Sequence, residues 1–253
     1  IRKKTGYTFK VDFSVQEKST DTISLYEDGE LVRDNNSNLL LRPGGHGSLI
    51  QNLNKLESDI IFIKNIDNLT HGDYLPETVI WKKMLGGMLI ELVENMSRIN
   101  KAINSEPDSS VLNETAQYLS QNAGANFSNS QDLLADIRKF IYRPIRVCGM
   151  VKNTGEPGGG PFWVKDGSGN ISLQIVEKAQ INLSLPDQLE HFNNATHFNP
   201  VDLVCYLNDP DGNKFDLNKF VDKDAGFVSD KTYNGKNIRV LEHPGLWNGA
   251  MSD

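Results

Sequence analysis

The stretch IIFIKNIDN, residues 60–68, sets four apolar residues in a row, Ile60 to Ile63, and closes on the short polar side chains of Asn65, Asp67 and Asn68. A short unbroken apolar run fits a strand covered on both faces, as in a parallel or mixed sheet. Upstream, LLLRPGGHGSLIQNL (residues 39–53) passes from an apolar run through Gly44, Gly45, His46 and Gly47 into a short helical pattern over Ser48 to Leu56. Downstream, Ile80, Met84, Leu85, Met88, Leu89, Leu92, Val93, Met96 and Ile99 recur at three- and four-residue spacing behind Pro76, which predicts a long helix. Helical patterns over Ser109 to Gln121 and Ser130 to Ile141 follow, so residues 78–142 read as a helical insertion or flank.

Tyr7, Phe9, Val11, Phe13 and Val15 alternate with polar residues, the period-two pattern of a half-buried strand. Thr22 to Tyr26, Glu30 to Val32 and Leu39 to Leu41 predict a small meander around the turn EDGE. Ile145 to Val151, Ile171 to Val176 and Val201 to Leu207 read as further strands, and the C-terminal remainder carries no clear period. Strands followed by helices, with polar residues at strand ends, predict an α/β fold in one domain spanning 1–253. Ligands of such sheets bind beyond the carboxyl ends of the strands. That rule gathers Gln16, the Gly44–Gly47 loop, Asn65, Asp67, Asn68, Lys152, Glu177 and Asn199.

With 38% hydrophobic and 23% charged residues, the composition is that of a packed globular chain. A formal charge of −7 disfavours a sequence-independent grip on nucleic acid or an anionic membrane, both of which call for a basic surface. No apolar run approaches the roughly 20 residues of a membrane span, and Ile1-Arg2-Lys3-Lys4 leads into no signal-peptide core, so a cytoplasmic location is expected. Cys148 and Cys205 each lie in an apolar strand pattern and read as reduced core thiols. The start at Ile1 and the stop at Asp253 lead us to expect a piece of a longer protein.

Glycines around His46 leave backbone bare for a flat ligand such as a base, with the imidazole as directed donor; the alternative is a tight turn with a solvated histidine. Asp67, flanked by amides, suits magnesium, a hard cation that keeps water and phosphate oxygens as its other ligands; the alternative is an Asx turn. Glu177 at a strand end can accept two sugar hydroxyls or pair with Lys178. Asn199 before Pro200 can hold a hydroxyl or shape its turn. Among Arg42, Arg143, Arg146 and Lys152, Lys152 directly follows a strand and is the chosen phosphate neutraliser.

FSVQEKSTDTIS with LLLRPGGHGSLIQNL, then IIFIKNIDN, GNISLQIVEKAQI and HFNPVDLV, resemble in order the motifs of sugar-1-phosphate nucleotidyltransferases of the UDP-sugar and UDP-N-acetylhexosamine pyrophosphorylase type. Over nearly the whole length, STDTI, RPGGHG, RPIRVCGMVKN, EPGGGPFW and LWNGAM resemble an uncharacterised bacterial domain family grouped with these transferases. The resemblance implies a Rossmann-like mixed sheet of the nucleotide-diphospho-sugar transferase type, lacking its N-terminal part. It implies Gln16, Gly44 and Gly45 at the nucleobase, His46 near base or sugar, Asp67 on Mg2+, and Glu177 and Asn199 on the sugar; Lys152, chosen for its place after a strand, joins Asp67 as the catalytic pair, and Asn248 or Asp253 is the candidate second metal ligand. The reaction implied is attack by a sugar-1-phosphate oxygen on the α-phosphorus of a nucleoside triphosphate, releasing pyrophosphate.

One departure separates two readings. Those transferases begin with a glycine-rich, arginine-containing loop that cradles the triphosphate, and no such sequence precedes Gln16. An enzyme present as its sugar- and metal-binding part is the first reading, and a non-catalytic nucleotide-sugar binding or regulatory module is the second. Metal-dependent hydrolysis is disfavoured, because the five histidines are scattered.

Overall fold

The computed structural model of the chain describes residues 6–69, 71–155, 158–165, 167, 169 and 171–245. The chain is a mixed α/β protein. Strands β1 (Thr22–Tyr26), β2 (Leu41–Arg42), β10 (Phe227–Tyr233) and β11 (Lys236–Glu242) form one sheet in the order β10-β11-β1-β2. A second sheet has the order β3-β9-β4, from Ile60–Lys64, Asp202–Tyr206 and Ile145–Cys148. Two ribbons complete the set: β5 (Val151–Lys152) with β8 (His197–Phe198), and β6 (Gly160–Lys165) with β7 (Ile171–Val176).

All pairings among the described residues are antiparallel. This corrects the expected mixed sheet. β9 returns between β3 and β4, pairing Ile60 with Tyr206 and Ile145 with the same Tyr206. The apolar run that suggested full coverage has one face packed and the other half open: Ile61 and Ile63 join the core of Ile50, Leu53, Leu203, Cys205 and Leu217, while Phe62 is 48% exposed.

The helices follow their signals. α1 (Ile50–Asn54) is short, and α2 (Leu75–Ile103) is long, with Pro76 in its first turn. α3 (Ser109–Ala123) is capped by Asp108, whose carboxylate accepts from Val111 N, and ends at Gly124 in the left-handed region. α4 (Leu133–Ile141) is capped likewise by Asp132, and α5 (Pro186–Asn193) lies near the second ribbon in sequence. α2, α3 and α4 share the core of Met96, Ile103, Leu119, Ile137 and Ile141. Leu89 of α2 also packs on Val147 and Val204, so α2 joins this helical unit to the β3-β9-β4 sheet. No helix among the described residues is long and apolar enough to cross a membrane.

Three strand expectations change. Residues 7–15 form no strand: they make no ladder, and Phe13 is 96% exposed. An alternating pattern becomes a strand only when another strand supplies its hydrogen bonds, and here none does. The strand expected over Ile145 to Val151 breaks at Gly149 and Met150, where Gly149 N donates to Asp202 O and the chain switches from β4 to β5. The aperiodic C-terminal remainder contains the β10-β11 hairpin, turned by Asn234 and Gly235, both at positive φ.

Both cysteines are free thiols in the second sheet. Burial pushes the Cys205 thiol up to about 12 and raises Cys148 as well, so neither forms a thiolate readily near neutral pH. An aryl disulfide reagent at pH 8 should label neither in the folded protein and both in urea. Fast labelling without denaturant would contradict this packing.

Candidate functional site

The glycine loop is built against the end of β11. His243 N donates to Gly44 O at 2.8 Å, and His243 Nε2 lies 2.9 Å from Thr20 O. A Cβ on Gly44 would stand 2.3 Å from the His243 ring, and one on Gly47 would stand 1.9 Å from Pro244 O. Gly45 is at φ +78°, with the Glu242 carboxylate where its side chain would go. The bare backbone therefore serves protein packing on the side facing Glu242, His243 and Pro244. That packing is a physical reason for the glycines.

Held by this loop, His46 opens the 3-10 turn His46–Leu49 that runs into α1. Its Nε2 lies 3.3 Å from Glu177 Oε1, with the two side chains 24% and 26% exposed. Glu177 follows β7 and caps the 3-10 turn Lys178–Gln180; its backbone N donates to Gln180 Oε1 at 2.9 Å, while Gln180 Nε2 donates to Ala225 O at 2.7 Å. Lys178 lies over the Phe192 ring, so Glu177 meets His46 and not its neighbour. Two residues singled out from distant parts of the sequence thus meet.

Glu242, which the sequence reading missed, stands beside them. It accepts from Ser229 Oγ at 2.6 Å and pairs with Lys231 Nζ at 3.1 Å. Burial alone would raise its pKa, but the Ser229 hydroxyl, the Lys231 ammonium and nearby His46 outweigh burial and hold the carboxyl below its usual range. The Asn-Gly pair at 234–235 was the available signal for this hairpin, and Glu242 ends its second strand.

The other candidates are placed as follows. Asp67 lies exposed in the turn after β3, with Oδ2 accepting from Asn65 Nδ2 at 3.1 Å and its own N donating to Asn65 Oδ1 at 3.3 Å. Asn199 is 2% exposed; its Nδ2 donates to Gly149 O and its Oδ1 accepts from Val201 N. That side chain shapes the turn before β9, where Val201 adopts φ 54°, and would have to release those bonds to touch a sugar. Lys152 is exposed in β5, paired in register with His197. Gln16 donates to Asp21 Oδ1 at 3.3 Å. Asn248 and Asp253 lie outside the described residues.

A chain of contacts links these positions. Asn65 N donates to Val201 O, Asn199 N donates to Gly159 O, a Cβ on Gly159 would meet Glu177 Cγ at 3.4 Å, and Glu177 reaches His46. The ends of β3 and β4 and the start of β9 lie at the same end of their sheet, as the register requires. Beside Glu177, Gln180 lines a groove of about 1430 Å³ together with Trp163, Gln174, His197 and Phe227. This exceeds the usual volume of a small-molecule site.

The sequence pattern of a family described as a domain of unknown function (DUF4301) matches residues 1–253. The chain belongs to the DUF4301 family. No curated protein and no solved structure matches it. In this DUF4301 chain no three His, Cys, Asp or Glu side chains among the described residues gather as a metal cluster. A cation at Asp67 would thus rest on one protein carboxylate, with water and ligand phosphates completing its shell. That arrangement fits magnesium, which commonly takes one or two carboxylates.

Proposed function

We propose that this DUF4301 chain binds a nucleotide sugar and forms part of a Mg2+-dependent sugar-1-phosphate nucleotidyltransferase. The observation that carries the reading is the 3.3 Å approach of His46 and Glu177, 131 residues apart in the chain. Glu177 accepts hydroxyl hydrogen bonds from the sugar, and His46 orients that carboxylate. Lys152 neutralises a phosphate oxygen, and the metal at Asp67 would supply further charge neutralisation. A sugar-1-phosphate oxygen attacks the α-phosphorus in line and pyrophosphate leaves, with positioning and electrostatics as the sources of rate.

The second reading is a nucleotide-sugar binding or regulatory module without turnover. Titration calorimetry with UDP-N-acetylglucosamine, UTP and GTP, with and without magnesium, tests both. UDP-N-acetylglucosamine should bind, and Glu177→Gln should weaken it roughly tenfold, the loss of one charge-assisted hydrogen bond. Asp67→Asn should remove the magnesium dependence and leave thermal stability unchanged, because an exposed turn carboxylate carries little packing. Pyrophosphate release from UTP and a sugar 1-phosphate separates enzyme from module. Failure of all three nucleotides to bind would falsify both readings.

A further inference from the structure

Among the described residues, β3 has a strand on one side only, and a strand-like segment near residue 11 has no ladder at all. β3 is the edge of its sheet, and among the described residues no strand pairs with its outer side. Ile60 and Phe62 on that strand are 40% and 48% exposed. The helix above continues the apolar surface. Gly86 of α2 sits on Phe62, where a Cβ would come within 3.1 Å of the ring. Val79 lies seven residues before Gly86 and Ile90 four after it, so all three share one line of the helix. Both apolar members of that line, Val79 and Ile90, are exposed. A sheet edge with an apolar roof is therefore open to one more strand.

The second element is the segment around Phe9, Val11 and Phe13. It alternates apolar and polar residues, pairs with nothing as a strand, and exposes Phe9, Val11 and Phe13 at 55%, 65% and 96%. Its five residues 9–13 match the five of Ile60–Lys64 in length. Its far end is fixed, since Val15 O accepts from Asn52 Nδ2 at 2.9 Å and Glu17 pairs with Lys55. An exposed edge and an exposed strand-forming segment are each a standing template for main-chain pairing.

We propose that residues 9–13 of one copy add as a strand to the outer edge of β3 in a second copy, and reciprocally, making a closed two-fold dimer. The occupant is a second copy because the chain itself carries both complementary halves. Exchange in both directions uses the same surface twice, which closes the assembly at two. The added strand would lay the Phe9, Val11 and Phe13 side chains against Phe62, Val79 and Ile90, and the main chain would satisfy the outer side of β3.

Sedimentation velocity on the protein at about 50 µM should give twice the chain mass. Val11→Pro removes an amide and blocks strand geometry in a segment that packs on no core, so it should give a monomer with an unchanged thermal transition. Phe62→Lys, on the receiving edge, should also give a monomer. Mixing a Val11→Cys variant with a Phe62→Cys variant should form a disulfide-linked pair faster than either variant alone; the native Cys148 and Cys205 are pushed toward the unreactive thiol by burial. A monomeric wild-type protein overturns the proposal. So does an assembly larger than two, a dimer that survives Val11→Pro, or cross-linking no faster in the mixture.

Discussion

Gly47→Ala is expected to destabilise the protein by about 3 kcal/mol or more, read as a lower urea midpoint at unchanged slope. The new Cβ would stand 1.9 Å from Pro244 O, 2.7 Å from Pro244 C and 2.8 Å from His243 O. All three are backbone atoms, so no side chain can swing aside. Either the loop or the end of β11 must move, and the bond from His243 N to Gly44 O holds the two together. Movement of β11 would also carry Glu242 away from His46, so nucleotide binding should fall with stability. Gly87→Ala is the control: it lies in α2 with nothing within 4 Å of an added Cβ, and replacing a helical glycine should stabilise by up to about 1 kcal/mol. A Gly47→Ala protein as stable as wild type would remove the packing account of this loop.

That account also shows what a sequence can and cannot disclose. The helices were legible because a period of three to four is written into Ile80 through Ile99 and bounded by Pro76, and α2 covers that stretch. Strand existence was legible at Ile171–Val176, whose bounds agree with the reading. Pairing was not, because direction depends on which strand returns between which others. The apolar run Ile60 to Ile63 is compatible with either, and β9 decides it. Residues 7–15 carry a faultless alternation and still make no strand, since periodicity describes a face and not the neighbour that must meet it.

At the site, the strand-end rule picked out two residues that meet, while Gln16 follows no strand and Lys152 lies within β5. It brought His46 and Glu177 into contact, yet it could not see that the Asn199 amide is engaged by Gly149 and Val201. Nor could it find Glu242, whose strand follows a segment with no apolar period strong enough to read. The glycines of the loop were singled out, but their requirement comes from Glu242, His243 and Pro244, far along the chain.

Asp202→Asn is expected to cost about 2 kcal/mol at pH 7, because it withdraws the one carboxylate shared by two lysines. Lys64 Nζ lies 2.9 Å from Asp202 Oδ2 and Lys82 Nζ 2.6 Å from Oδ1, with all three side chains largely buried. Lys64 comes from β3 and Lys82 from α2, so the carboxylate at the start of β9 ties sheet to helix. Burial alone would raise the Asp202 pKa; the hydrogen bonds and charges of Lys82 and Lys64 outweigh it, and the carboxyl sits below its usual value of 3.8. A depressed carboxyl contributes stability that is fully present above the unfolded value and is lost as pH falls through the folded one. The gap between wild type and Asp202→Asn should therefore hold steady between roughly pH 5 and 8, where both the unfolded and the folded carboxyl are ionised, and close as pH drops below about 4. Urea titrations of both proteins across that range measure it. Lys82→Met alone should reproduce only part of the loss, since Lys64 still pairs with Asp202. An equal midpoint for wild type and Asp202→Asn at pH 7 would show that the two lysines reach water instead, and the link between α2 and the sheet would then rest on apolar packing such as that of Leu89 on Val147 and Val204.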